Sequence, residues 1–372
     1  MTSARRARVL VVGWTPPPTT GMSVATGHLV DGAMQEAFDI RLMDLADPRG
    51  IRNMGILDLS NVVQAAAHAL HFIWILASWR PQVVYVAVAQ NRLGFLRDSL
   101  FLVPARLARR AVVIHIHGSQ FGRYLRGERR WMQGLIGFAL SRARIVVVLG
   151  AQLTGIVEGI VAPTAIRVVP NGIEPTPFAP MGEEPLVLWL SNLTESKGLM
   201  TTLTAAALLH ARSTQARFVF AGLWAGPELQ AQARTYVDAH KLGDSVEFVG
   251  PVESAADKDL LLRRARAFVL PSKDEGQPYS ILEAMRAARP VVTTDVGVIG
   301  DMVEDDVNGF LVAPGDAEAL ANAIETLLAD HERAAAMGLA GRRKFEDKFT
   351  LDRWRRDMRD VLTEALDPEA RG

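Results

Sequence analysis

The residues with the most chemically suggestive spacing are Glu275 and Glu283, in the run Glu275-Gly276-Gln277-Pro278-Tyr279-Ser280-Ile281-Leu282-Glu283. Upstream, Ala267-Phe268-Val269-Leu270 predicts a short buried strand that Pro271 and Ser272 end. Downstream, Ile281, Leu282, Ala284, Met285 and Ala288 predict the apolar face of a helix. Pro278 suits the first helical position, where its missing N–H costs nothing. A strand therefore feeds a tight loop, and the loop feeds a helix N-terminus. Free backbone N–H groups and the positive helix end converge there, which suits an anionic or hydroxyl-rich ligand. Glu275 belongs to the loop and Glu283 lies more than one turn into the helix, so the two carboxylates can face different parts of one long ligand. Acids at a helix start also occur as plain dipole complements on a surface, and the pair by itself leaves that reading open.

Other segments place reactive side chains at comparable points. Leu186–Leu190 reads as a strand, followed by Ser191-Asn192-Leu193-Thr194-Glu195-Ser196-Lys197-Gly198 and a helix from about residue 200 to 211. A lysine beside a glycine in a strand-to-helix loop suits a diphosphate, combining a point charge with backbone donors. Ala111–Gly118 reads as a strand with His117 at its carboxyl end and His115 on the same face, buried. The strand at residues 8–13 leads into a proline-rich loop and Gly21-Met22, where a glycine lets backbone approach a phosphate or sugar, or simply makes a connector. Gly250, in the strand at residues 246–252, allows close backbone approach.

These segments recur in a regular alternation. Strands near residues 8–13, 40–43, 83–88, 111–118 and 144–149 alternate with helices that include 59–78 and 94–109. The second half repeats the pattern with strands at 186–190, 217–222, 246–252 and 267–270, helices at 200–211 and 227–240, and later helices at 317–328 and 351–366. Asp316 and Thr350 are expected to cap the last two, and Trp354, Met358 and Leu362 fall at helical spacing on a core-packing face. Alternation of this kind predicts parallel sheets with ligands beyond the carboxyl ends of the strands. Pro175, Pro177, Pro180, Gly182 and Pro185 form a linker composition, so the expected domains are 1–178, joined by the helix at about 350–372, and 182–349.

Composition narrows the class. The 372 residues suit two domains, 49% are apolar, and the 41 basic and 41 acidic residues cancel. No overall basic excess draws the chain to nucleic acid. With no cysteine in the chain, disulfides, thiolate metal sites and a cysteine nucleophile are excluded, in keeping with a cytoplasmic protein. The apolar run at residues 9–13 is too short for a signal peptide, and Ala69–Ala77 falls short of the roughly 20 residues of a spanning helix. Residues 118–138 mix arginines with Trp131, Ile136 and Phe138; Gly118–Arg126 reads as mobile, and the whole is a candidate contact with a lipid acceptor or the inner membrane surface. An amphipathic helix packed on its own sheet explains the same pattern.

The run around Glu275 and Glu283 resembles the signature of the retaining nucleotide-sugar glycosyltransferases of the GT-B fold, the "group 1" or family-four enzymes. The likeness extends from Phe268-Val269-Leu270-Pro271-Ser272 through Ala284-Met285, Arg289-Pro290-Val291-Val292 and Gly297 to Val307–Val312 and Pro314-Gly315-Asp316. The resemblance implies two Rossmann-like domains facing a cleft, with the last helix crossing back to the first domain. It implies that Glu283 holds the donor ribose and that Lys197-Gly198 takes the diphosphate. Glu275, with Gly276, Gln277 and Pro278, would position the transferred sugar, and His117 would reach that sugar from the first domain. Backbone near Gly250 would read the base, and Gly21-Met22 would form the phosphate or acceptor loop. The chain departs from the pattern at Met22, where a second glycine is usual, and at Asn192, where an arginine is usual, which puts more of the phosphate charge on Lys197. The implied reaction is metal-independent and needs no cofactor beyond a nucleotide-diphosphate sugar; its acceptor is a sugar or lipid-linked hydroxyl in polysaccharide or glycoconjugate biosynthesis.

Other readings stand beside this one. A non-catalytic nucleotide-sugar-binding or scaffold protein, or a nucleotide-sugar epimerase, would share the fold. Two carboxylates also serve glycoside hydrolases, against which the phosphate-type loops argue. A dinucleotide oxidoreductase would show Gly-x-Gly-x-x-Gly after the first strand, and this chain does not.

Overall fold

The computed structural model describes residues 6–17, 20–46, 58–252 and 254–367. Pro18 and Thr19 of the first strand-to-helix loop lie outside that set. The chain divides into two compact units, residues 1–171 with 352–372, and residues 172–351.

The first unit runs β1 (Arg8–Gly13), α1 (Gly21–Leu29), α2 (Gly32–Ala37), β2 (Asp39–Asp44), α3 (Leu59–Ser78), β3 (Val83–Ala87), α4 (Arg92–Leu107), β4 (Ala111–Ile116), α5 (Phe121–Gly127), α6 (Arg130–Leu140), β5 (Ile145–Val148) and β6 (Ile166–Val168). Its strands form one six-stranded parallel sheet in the order β2-β1-β3-β4-β5-β6. The central strands are largely apolar, as burial on both faces demands, with His115 of β4 a buried exception; Val83–Ala87 and Ile145–Val148 are fully buried. The stretch 118–126, expected to be mobile, is instead largely helical as α5, whose Phe121 is fully buried against Phe95 and Tyr124.

The second unit runs β7 (Leu186–Leu190), α7 (Leu199–Ala211), β8 (Arg217–Ala221), α8 (Pro227–Ala239), β9 (Val246–Gly250), α9 (Ala255–Arg264), β10 (Ala267–Leu270), α10 (Tyr279–Arg286), β11 (Val291–Thr294), α11 (Ile299–Met302), β12 (Gly309–Val312), α12 (Ala317–Ala329) and α13 (His331–Lys348). Its sheet is again parallel and six-stranded, in the order β12-β11-β10-β7-β8-β9. The order reverses at the β10–β7 neighbours, the topological switch point of a doubly wound sheet, and ligands bind outside the carboxyl ends of strands at such points. Asp316 caps α12 by accepting from the Ala319 N–H at 2.9 Å.

The chain leaves the first unit after Asn171 and returns at Asp352, and the two crossings are hydrogen-bonded side by side. The Ile173 N–H donates to the Phe349 carbonyl at 3.1 Å, and the Leu351 N–H donates to the Ile173 carbonyl at 2.8 Å. The last helix, α14 (Leu351–Leu366), lies in the first unit from Asp352 onward. Trp354, Met358 and Leu362 are buried, and Trp354 meets His28 of α1 edge-on at 5.7 Å. The Arg355 guanidinium grips the Asp31 carboxylate at 2.9 and 3.0 Å, and Arg167 pairs with Glu364. Trp354→Ala should therefore lower the unfolding free energy by about 3–5 kcal/mol, measured by urea denaturation, while Arg353→Ala on the outer face should cost less than about 1 kcal/mol.

Candidate functional site

In the second unit, the loops after β7 and β10, neighbours in the sheet, are locked together through their backbones. The first loop is a compact turn: Thr194 Oγ1 accepts from the Lys197 N–H at 3.1 Å, and the Gly198 N–H donates to the Glu195 carbonyl at 3.0 Å. The second is tied to it by the Lys273 N–H, which donates to the Ser196 carbonyl at 2.7 Å. A third loop, after β11, closes on the second where the Val298 N–H donates to the Gly276 carbonyl at 3.2 Å. The hydroxyls of Thr293 and Thr294 donate to the Leu270 and Ser272 carbonyls at 2.7 and 2.5 Å.

Glycine makes this approach possible at two positions. Gly198 has φ +87°, and a Cβ there would sit 2.2 Å from the Pro271 carbonyl oxygen. Gly297 has φ +62°, and its Cβ would sit 1.8 Å from the Glu275 carbonyl oxygen. Neither conformation nor space admits another residue.

The interlock places side chains 78 residues apart in contact: Lys197 Nζ lies 2.5 Å from Glu275 Oε1. Ser272 Oγ donates to the same carboxylate oxygen at 2.7 Å. The Glu275 side chain is 6% exposed and that of Lys197 27%, so the carboxylate is set in the wall and the ammonium reaches outward. Gly276 is half-buried, and Gln277 and Pro278 are buried between Glu275 and α10. The helix begins one residue later than the sequence suggests: Pro278 is the extended cap and Tyr279 the first helical residue. Burial of the Tyr279 hydroxyl raises its pKa above that of free tyrosine.

Glu283, on the second turn of α10, is held at 3.2 Å by Lys258 Nζ of α9. Asn192 is exposed after β7. Gly250 ends β9 with φ +77°, and its carbonyl accepts from the Gly222 N–H at 2.8 Å, beside the Trp224–Phe248 ring pair. Neither Ser272 nor Lys258 stood out in the sequence as a partner of these acids. Ser272 lies three residues from Glu275 in the same loop, a spacing that could have flagged it. Lys258 sits 25 residues from Glu283, with no periodic signal linking them.

In the first unit, His117 directly follows β4 and stacks on His115 with ring centroids 3.8 Å apart. His115 Nδ1 shares a 2.7 Å hydrogen bond with the Tyr85 hydroxyl. Both His117 ring nitrogens are shielded from solvent and have no partner among the described residues. Burial pushes the His117 pKa down to about 4, and burial together with His117 depresses that of His115, so both rings are neutral at pH 7. Gly118 admits the Gln90 side chain, whose amide nitrogen would lie 2.2 Å from any Cβ there. Gly21 and Met22 open α1, whose Thr20 cap accepts from the Ser23 N–H at 3.1 Å.

The glycosyl transferases group 1 family model matches residues 175–344. The amylovoran biosynthesis glycosyltransferase AmsK of Erwinia amylovora is 30% identical over 208 residues, 53% of this chain and 50% of that protein. The chain spans about half the length of curated relatives such as this one. Among solved structures, sucrose-phosphate synthase from Thermosynechococcus elongatus superposes with a TM-score of 0.75 at 18% identity, covering 96% of this chain and 98% of that one. The Anabaena HepE structure in complex with UDP superposes with a TM-score of 0.71 at 17% identity, covering 96% and 99%.

Two stability outcomes follow from this geometry. Gly198→Ala and Gly297→Ala should each destabilise by at least about 1–3 kcal/mol, whereas Gly243→Ala, with open space around its Cβ, should change the melting temperature little. Because folding lowers the His117 pKa, the unfolded chain binds more protons between pH ~6.5 and ~4, so stability should fall as pH drops through that window. Thermal melts of His117→Asn should show a shallower fall. The parallel doubly wound sheets, and the solved structures on which they superpose, give the chain the GT-B fold, and residues 175–344 are similar to the glycosyl transferases group 1 family.

Proposed function

We propose that this protein transfers a sugar from a nucleotide-diphosphate donor to a hydroxyl of a sugar or lipid-linked acceptor, with retention of anomeric configuration, in the assembly of a glycan. The observation that carries the reading is the Lys197–Glu275–Ser272 cluster at the β7–β10 switch point, with Glu283 further along the helix that the same loop opens.

Each group has a distinct task. Glu283 accepts from the ribose hydroxyls. The Lys197 ammonium has three protons, of which the Glu275 contact uses one, so it can stay paired while meeting the diphosphate. Its effect grows as the bond from the anomeric carbon to the phosphate oxygen breaks and charge collects on the leaving group. Glu275, fixed by Lys197 and Ser272, accepts from hydroxyls of the transferred sugar. The acceptor oxygen bonds to the anomeric carbon on the face the phosphate leaves, and the acceptor proton passes to the departing phosphate oxygen. That route asks no side chain to be the nucleophile and needs no metal. His117, neutral at pH 7, offers an uncharged hydrogen-bonding ring suited to a sugar hydroxyl.

The HepE structure in complex with UDP is consistent with a nucleotide-diphosphate ligand for this fold. Proton NMR of the product tests the stereochemistry: an α-linked donor should give an α-linked product, and a β-linked product would overturn the retaining route. Steady-state kinetics separate the two charged groups. Glu283→Ala should raise the donor KM about 10–100-fold, the loss of hydrogen bonds to a charged acceptor. Lys197→Ala should lower kcat about 10²–10³-fold, the range for removing one transition-state donor. Unchanged kinetics in both variants would remove this site assignment.

A further inference from the structure

The strongest feature outside the donor site is the outer face of α3. The sequence gives the membrane-contact candidate as residues 118–138 and discounts residues 69–77 as too short an apolar run. The structure shows α3 as a 20-residue helix, about 30 Å long at 1.5 Å per residue. No Asp, Glu, Lys or Arg occurs between Leu59 and Trp79.

Only one side of α3 packs inward. Phe72, Ile75 and Leu76 are buried, and Phe72 meets Phe101 of α4 edge-on at 5.3 Å. The opposite side carries Leu59, Val62, Val63, Leu70, Ile73 and Trp74, all exposed, with Leu70 at 69% and Trp74 at 60%. At 100° per residue these six fall in one stripe running the length of the helix. A core helix would be buried around its circumference, and a surface helix would be polar on this side. α3 is neither.

The charge beside the stripe identifies what it fits. Right-handed crossovers put α3, α4 and α6 in one layer on the same face of the sheet, with α4 packed against both α3 and α6. Residues 92–144, which contain α4 and α6, hold eleven arginines, no lysine and only two acids, although the whole chain is neutral. Both acids are already held within that stretch, Asp98 by Arg97 at 2.8 Å and Glu128 by Arg92 at 2.7 Å. Arg80, Arg109, Arg110 and Arg142 follow the C-terminal ends of α3, α4 and α6, and the guanidiniums of Arg106 and Arg142 approach the Phe138 ring at 4.8 and 5.4 Å.

We infer that this layer is a membrane-docking surface, with α3 lying in the plane of an anionic bilayer, its apolar stripe among the acyl chains and the arginines on the lipid phosphates. An in-plane amphipathic helix flanked by cations and tryptophan is the arrangement such interfaces select. A second copy of the chain fits less well, because a two-fold contact through this layer would bring arginine-rich surfaces together. The inference does not depend on the donor site. It adds a property that a polysaccharide- or lipid-directed transferase can use, since docking holds the first unit at the surface where a lipid-linked acceptor would reside.

The test is co-sedimentation of the full chain with vesicles of phosphatidylcholine alone and of ~3:1 phosphatidylcholine to phosphatidylglycerol. The wild type should pellet with the mixed vesicles and not with the neutral ones, and should be released by ~1 M salt. Leu70→Gln/Trp74→Gln and Arg109→Glu/Arg110→Glu, each with a wild-type melting curve, should each lower the partition coefficient at least about tenfold. Because the chain has no cysteine, Val63→Cys takes a single environment-sensitive fluorophore, whose emission should shift to the blue on adding mixed vesicles. Failure of the wild type to bind, wild-type binding by the Leu70/Trp74 variant, or no spectral shift at position 63 would each overturn the proposal. So would a wild-type dimer that the Leu70/Trp74 variant converts to monomer without any vesicle binding.

Discussion

The site depends on how closely three loops approach at the carboxyl edge of the second sheet. Gly198 and Gly297 let backbone lie against backbone where any side chain would collide, and the Lys273–Ser196 and Val298–Gly276 hydrogen bonds fix the contact. The register of those bonds brings Lys197 to Glu275. A carboxylate that is 6% exposed needs such partners, because a buried charge without them costs more than the fold can spare. Structure and chemistry thus share one device: the hydrogen bonds that join β7 to β10 also set a cation and an acid side by side, facing the region where a doubly wound sheet binds its ligand.

The two acids differ in kind because their surroundings differ. Glu275 is fixed on a loop by an ammonium and a hydroxyl and has little freedom to move. Glu283 stands on a helix with one lysine at a longer distance, 3.2 Å, and is more open to exchange that partner for a diol. A rigid acid suits a reacting sugar, whose geometry must be held to a fraction of an ångström, and a more loosely held acid suits a nucleoside that only has to be retained. On the first unit, the stack of neutral His115 and His117 beneath Tyr85 presents an uncharged hydrogen-bonding ring at a strand end, suited to a sugar hydroxyl and poorly suited to a phosphate.

Much of this was legible in the sequence, for a physical reason. Buried parallel strands must be apolar on both faces, so Val83–Ala87 and Ala267–Leu270 stand out as runs, and the helices between them follow from length and periodicity. The α3 boundaries were readable for that reason, and its outward face was not. An apolar helix reads the same whether its second side meets a neighbour or solvent, and only the fold shows that Leu70 and Trp74 are left exposed by the described residues. α5 was hidden because Gly118, Gly122 and Gly127 suggest a loop, while the burial of Phe121 fixes a helix. Lys258 was hidden because its partner lies on another element, and pairing between two helices leaves no local spacing.

The central claim is that the second unit binds a nucleotide-diphosphate sugar through Glu283 and Lys197. Calorimetric titration of the full chain with UDP-, GDP- and ADP-sugars, in the presence of a chelator, tests it most directly. The account predicts saturable binding of one nucleotide class without added metal, abolished or strongly weakened in Glu283→Ala while the fold persists. Folded protein that binds none of these donors, or a Glu283→Ala variant that binds as the wild type does, would contradict it.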